Sequence, residues 1–336
     1  MSLFKHYKSI TLLLVGLIAG FYLNLFYARY YSRTPMLGSV HPIREKNTNY
    51  KFISPLLSYD LPPNTQLAEF KELNEKIKIL IAEKLAEGKV DRLGVYFKDF
   101  TSGQWTGINE EGLFQPASLL KIPIMVAYFK LTETNKSLLD RVVSIVPTKA
   151  TSFTRAPSRL YKVGWQYKIG ELIRGMIVES DNDAADTLIA NIDPDFLSGV
   201  FGDLGISPPN SNDESQATSP KTFGLFFRVL YNSTYLERDF SEKALAIMDQ
   251  VDYKDGIDTS NLKNISVADK FGERVILKGE GSHVIDLSDC GIVYYPSKPY
   301  LLCIMTEGKN EDNLKQVIQD ISNLTLDEVR GGVTKS

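Results

Sequence analysis

The chain predicts an α+β domain in which one sheet is split in sequence by a long helical insertion. Three observations carry this. A hairpin pattern lies early, through Leu93–Phe100 and then Trp105 and Ile108, with Thr101-Ser102-Gly103 as its turn. Three short apolar runs lie late, at Ser266–Phe271, Cys290–Tyr295 and Tyr300–Met305. Between them, the periodic segments have helical spacing. A cleft between the sheet and the insertion is the expected place for a site.

Length and composition limit the possibilities. The 336 residues, 43% hydrophobic and 24% charged, are ordinary for a globular protein and long enough for a sizeable core. A net charge of -3 gives no basic surface and no support for nucleic-acid binding. Two cysteines, Cys290 and Cys303, are too few for a disulfide framework or a zinc site and read as small buried hydrophobes.

Taken in order, the first segment is Ile10–Tyr27, an uncharged and mostly apolar run of 18 residues. As a helix it would be about 27 Å long, close to the apolar thickness of a bilayer. Lys5 and Lys8 precede it, Arg29 and Arg33 follow, and no small-residue cleavage site is evident. Residues 1–32 therefore read as an uncleaved anchor in the cytoplasmic membrane, with the large domain outside. Residues 33–64 carry five prolines and no persistent period, so they read as a spacer. Residues 65–336 form the domain. Leu73, Ile77, Leu80, Ile81 and Leu85 predict an amphipathic helix that stops at Gly88. After the hairpin, the insertion spans about 118–262. Three helices are expected there, through Ile169–Ile177, Ala184–Ile189 and Phe223–Leu230. Pro296-Ser297-Lys298-Pro299 turns the last two strands, and a helix over about 310–321 ends the domain.

The chemistry starts at Gln115-Pro116-Ala117-Ser118-Leu119-Leu120-Lys121. On a helix, Ser118 and Lys121 share one face, so the amine can reach the hydroxyl. A serine needs a base to become a nucleophile, and a lysine serves once burial or positive charge lowers its pKa. Ser-x-x-Lys alone is weak, since Ser2/Lys5 and Ser260/Lys263 repeat it. The histidines are His6, His41 and His283, and there is no Gly-x-Ser-x-Gly elbow, so lysine is the better candidate base. Two further motifs follow. Ser180-Asp181-Asn182 lies between two expected helices, where it also suits an N-cap. Lys270-Phe271-Gly272 ends a strand-like run.

In this order and on these elements, the three motifs resemble the serine β-lactamase and penicillin-binding-protein superfamily, nearest to class A β-lactamases. Asp289-Cys290-Gly291-Ile292-Val293-Tyr294 before a last strand and helix agrees. The resemblance covers roughly residues 70–330. It implies a β-lactamase/transpeptidase-like fold, a five-stranded antiparallel sheet flanked by helices with a helical insertion subdomain. It implies Ser118 as the acylated nucleophile, Lys121 as its base, and Ser180 as the proton donor to the leaving nitrogen. Asn182 and Lys270 would bind substrate, and the N–H groups of Ser118 and Glu273, next to Gly272, would form an oxyanion hole. The partner would be a β-lactam or a peptidoglycan peptide, and no metal or organic cofactor is called for.

The chain departs from this pattern twice. Phe271 stands where the family has Thr or Ser, so the hydroxyl for a substrate carboxylate is missing; Arg274 is a compensating cation, while Glu273 beside it works against an anion. Class A enzymes also carry a glutamate that activates the deacylating water. Here Gly202–Ser219 holds no Glu-x-x-Leu-Asn, and Asp213 and Glu214 are the substitutes on offer. Acylation without a placed base for hydrolysis describes a D,D-peptidase or penicillin-binding protein. A non-catalytic cell-wall-binding or sensor module is the third alternative.

Overall fold

A five-stranded antiparallel sheet, in the order β4-β3-β9-β8-β7, divides the domain into two hydrophobic layers. The structure is a computed structural model and describes residues 42–45, 49–58, 70–147, 160–206, 217–279 and 282–333. The expected anchor at residues 10–27, and Asp213 and Glu214, lie outside the described residues. Among the described residues no helix is long and apolar enough to cross a membrane.

The chain first makes two short paired strands, β1 (Ile43–Arg44) and β2 (Leu56–Ser58). Helix α1 (Lys71–Ala86) buries Leu73, Ile77 and Ile81 and ends before Gly88, whose φ of 67° is easy only for glycine. Strands β3 (Arg92–Asp99) and β4 (Trp105–Ile108) form the expected hairpin. A 3-10 turn, Ala117–Leu120, leads into α2 (Lys121–Thr134), which is buried on nearly every side. A small ribbon of β5 (Val142–Ser144) and β6 (Gln166–Lys168) precedes α3 (Ile169–Val178) and α4 (Asn182–Ala190). Then come α5 (Pro194–Asp203), α6 (Pro220–Asn232) and α7 (Arg238–Met248). The sheet resumes with β7 (Val267–Gly279), β8 (Ser282–Val293) and β9 (Tyr300–Gly308), and α8 (Glu311–Val333) follows.

Alternation along the strands assigns the layers. Leu93, Val95 and Phe97 with Leu302 and Ile304 face α1 and α8, where Leu314, Val317, Ile318 and Ile321 meet them. Tyr96, Ala268, Ile292, Leu301 and Met305 face the insertion, packing with Phe223, Phe226 and the buried side of α2. A strand covered on both faces is apolar on both, which is why β9 reads as a continuous run from Tyr300 to Met305.

Three expectations need correction. Residues 42–45 and 49–58, taken as part of a free spacer, pack on the domain, with Phe52 and Ile53 buried in its core. The prolines hid this, because an irregular strap has no period yet can still bury apolar side chains. Cys290 and Cys303 are disulfide-bonded rather than two independent hydrophobes. They sit directly opposite each other on β8 and β9, where cross-strand side chains meet. Finally, the strand expected to stop at Phe271 continues to Gly279. Its outer part is solvated, with Leu277 82% exposed, and its short apolar run Val275–Leu277 is flanked by Glu273, Arg274 and Lys278, which hides it as a strand.

Candidate active site

Local backbone strain shapes the turn that carries Ser118. Ala117 has a φ of 48°, a left-handed conformation that costs a non-glycine residue energy. It bends the chain from the end of the hairpin into the 3-10 turn. The α-helix proper starts only at Lys121, so the serine and lysine are held by turn and helix together. Gly272 fixes the opposite wall. A Cβ on it would lie 2.4 Å from the Pro116 carbonyl oxygen and 3.1 Å from the Leu119 nitrogen. Only glycine lets edge strand β7 come this close to the nucleophile turn.

Ser180 joins the two walls. It too is left-handed, with a φ of 54°, in the bend between α3 and α4. Asp181 follows as the N-cap of α4 and accepts the Ala184 N–H at 2.7 Å. The N-cap reading of this motif therefore holds, and it coexists with a second use. Lys121 Nζ donates to the Ser180 carbonyl at 2.6 Å, to Ser180 Oγ at 3.1 Å and to Asn182 Oδ1 at 2.7 Å. Lys270 Nζ donates to the same Ser180 Oγ at 3.0 Å and to the Phe271 carbonyl at 2.9 Å. Residues 121, 180, 182 and 270, distant in sequence, form one hydrogen-bonded cluster.

This cluster has definite electrostatics. Lys121 is 5% exposed and Lys270 is fully buried. Burial first, and then the Lys270 charge, push the Lys121 amine well below the ordinary lysine range; Asp181 and Asp186 oppose this. A lysine so placed gives up its proton easily and becomes a base. The Ser180 hydroxyl accepts from two ammonium groups, which uses both of its lone pairs. Its own O–H remains to donate.

Ser118 itself is half-buried, and among the described residues no hydrogen bond engages its hydroxyl. Lys121 is turned toward the Ser180–Asn182 corner instead of bonding Ser118, because a protonated amine seeks three acceptors and finds them there. Such catalytic contacts often tighten only with substrate bound. Glu273 follows Gly272 on β7, half-buried, and its charge acts on Tyr253. Arg274 pairs in register with Asp286 across β7 and β8; burial first, and then Glu307, push that carboxyl up to about 6, and the Arg274 charge opposes the rise. It does not join the cluster. Sequence reasoning missed Tyr253, whose ring stacks on Phe271 with centroids 4.0 Å apart. It stands in an irregular segment after α7, where no pattern marks it.

Comparison with known proteins bears on the family and the fold. The family model described as the beta-lactamase enzyme family matches residues 72–329. A search of curated protein sequences returns no significant match. Among solved structures, PBP-A superposes with a TM-score of 0.67 at 21% identity, covering 81% of this chain and all of its own. A β-lactamase from Sphaerobacter thermophilus gives 0.64 at 18% identity, over 75% of this chain and 96% of its own. An ancestral class A β-lactamase gives 0.63 at 20% identity, over 76% and 99%. The fold is shared with both kinds of protein.

Proposed function

The chain belongs to the beta-lactamase enzyme family, and from that premise we propose that it is a serine hydrolase that forms an acyl-enzyme at Ser118. Its substrate is a β-lactam or a D-alanyl peptide of the cell wall. The observation that carries the reading is the environment of Ser180 Oγ, which accepts from both Lys121 and Lys270. That arrangement leaves the Ser180 O–H to donate to a leaving group, beside a lysine primed to act as base.

In the proposed reaction, neutral Lys121 takes the Ser118 proton as Oγ bonds to the substrate carbonyl carbon. The N–H groups of Ser118 and Glu273 stabilise the resulting oxyanion. Loss of such a donor typically costs about 3–4 kcal/mol. The C–N bond then breaks, Ser180 gives its proton to the departing nitrogen, and Lys121 returns a proton to Ser180. Asn182 orients the substrate through its amide, and Lys270 supports Ser180. Water hydrolyses the ester in a second half-reaction. The site is proposed to lie outside the cytoplasmic membrane, tethered by residues 10–27. The apolar run there supports this, as does the Cys290–Cys303 disulfide, since disulfides persist in oxidising compartments.

A second reading keeps the acylation and slows the hydrolysis, as in a D,D-peptidase. It is favoured by the interval Gly202–Ser219, which has no Glu-x-x-Leu-Asn. A fluorescent penicillin should label the wild type, and Ser118→Ala should lose the label entirely. Label that persists in the variant would refute the assignment. Intact-protein mass spectrometry over time separates the readings: a transient adduct marks a β-lactamase, a lasting one a peptidase-like enzyme, and none at all a non-catalytic module.

A further inference from the structure

A second gathering of cations lies away from the Ser180 cluster. A cavity of about 210 Å³ is lined by Arg44 from β1, Lys98 from β3 and Arg228 from α6. Among the described residues that line it there is no carboxylate. It shares no residue with the cluster, and β9 and β8 stand between β3 and β7 in the sheet.

Each of the three cations is set in place by its surroundings. Arg44 is held by the Ser54 carbonyl, Asn232 Oδ1 and the Phe100 carbonyl, so its charge has a fixed position. Lys98 is 4% exposed and donates to the Gly103 carbonyl on the same wall. Arg228 is half-buried, and its Nε–H is buried with no hydrogen-bond partner among the described residues. A buried donor left in that state destabilises the fold until an acceptor reaches it. The crowding of charge registers at Lys98. Burial first, and then the Arg228 charge, push its amine down to about 7, and Arg44 adds to this while Asp99 opposes it. Asp99 is engaged with other donors: its oxygens accept the Thr101 N–H and the Ser102 O–H, each at 2.7 Å. An anion in the cavity would relieve the repulsion and give Arg228 its acceptor.

The charge count selects the ligand class. A carboxylate brings one negative charge, whereas a phosphate monoester brings about two, with three strong acceptor oxygens. Guanidinium groups suit phosphate because their forked N–H groups match its oxygens. Asn232 and Thr234 add polar groups to the wall, and Phe100 and Leu225 give it an apolar side. We propose that this cavity binds a phosphate or phosphate monoester, taken from solution or presented as the headgroup of a lipid. The cations recognise the same group in either case, and the apolar side would lie against a lipid's carbon body.

Calorimetric titration of the full chain in a neutral detergent, at constant ionic strength, tests this. The probes are inorganic phosphate, dihexanoyl phosphatidic acid and dihexanoyl phosphatidylcholine, each corrected by a blank titration into detergent. The wild type should bind phosphate or the phosphatidic acid saturably at concentrations up to about 10 mM. Arg228→Gln, checked for folding by circular dichroism, should weaken that binding ten- to a hundredfold, on the order of one charge-assisted contact. Lys98→Met should do the same where it folds. Competition needs no variant: sulfate should displace the phosphate probe, and acetate at the same concentration should not. Phosphatidic acid that binds at least about tenfold tighter than inorganic phosphate assigns a lipid headgroup, about one charge-assisted contact's worth of difference; equal or weaker binding assigns the free anion. A wild type that binds neither probe overturns the proposal. So does phosphatidylcholine binding as tightly as phosphatidic acid, displacement by acetate as effective as by sulfate, or unchanged affinity in folded Arg228→Gln.

Discussion

Lys121 has to carry a proton in one step and lack it in the next, and its surroundings are built for that exchange. Three acceptors hold the ammonium, while burial and Lys270 drive the proton off. The sign of a pH effect follows. Lys270 lowers the Lys121 pKa, so removing its charge raises that pKa and leaves less neutral amine at pH 7. Lys270→Met should therefore move the alkaline-rising limb of the acylation rate to higher pH, as read from penicillin labelling between pH 5 and about 10. An unshifted limb in the folded variant would separate Lys121 from the base role. Ser180→Ala makes a different prediction. It removes the O–H donor but leaves Lys270 in place, so acylation should fall about 10²–10⁴-fold. The pH limb should then move far less than in Lys270→Met.

Two walls meet at Gly272, and the meeting of β7 with the Ala117–Leu120 turn sets the position of Ser118. Gly272→Ala puts a Cβ against the Pro116 carbonyl, which is backbone and can move only if the turn moves. Overpacking of this kind costs about 1–3 kcal/mol, measurable by urea denaturation. The turn shift should reduce acylation by about 10²-fold even in the folded fraction, since a displacement of ~1 Å at a reacting group has that effect. The same elements explain what the sequence could reveal. Lys121, Ser180, Asn182 and Lys270, the members of the cluster, were legible through the order and spacing of their motifs; the first three stand at element boundaries, whereas Lys270 lies inside β7. The helices through Ile169 and Phe223 were legible because their buried stripes are long, and the shorter one through Ala184 because Ser180-Asp181-Asn182 marks its start. Helices α5 and α7 were not, because their stripes are short and broken by polar residues such as Ser241, which is buried yet reads as polar. The outer β7–β8 hairpin shows only the short run Val275-Ile276-Leu277, set between charged residues. Lys121 turning toward Ser180 instead of Ser118 depends on the left-handed bend at Ser180, which no local pattern announces for a serine.

At the scale of the whole molecule, the strap formed by residues 42–45 and 49–58 ties the helical insertion to the sheet, and the cluster draws residues from both. Arg44 donates to Asn232 at the end of α6 at 2.9 Å and to the Phe100 carbonyl just past β3 at 3.2 Å. The Glu242 carboxylate on α7 accepts the N–H groups of Lys51, Phe52 and Ile53 at 2.8–3.0 Å. Tyr294, just past β8, donates to the Phe52 carbonyl at 3.0 Å. Ser118, Lys121 and Ser180 belong to one side of the cleft and Lys270 to the other, so loosening the strap should weaken the cluster as well as the core. Fully burying a Phe or Ile side chain contributes about 1.5–3 kcal/mol. Phe52→Ala/Ile53→Ala should therefore lower the unfolding free energy by roughly 3–6 kcal/mol, a large share of the ~5–15 kcal/mol typical of a domain. Deleting residues 1–58 should do at least as much, while deleting residues 1–40 keeps the strap and should leave the urea midpoint in place. Penicillin acylation should follow the same order: retained in the shorter deletion and reduced in the longer one and in the double variant. If all three proteins unfold at the same urea concentration, the segment is only a spacer, and the site owes nothing to it.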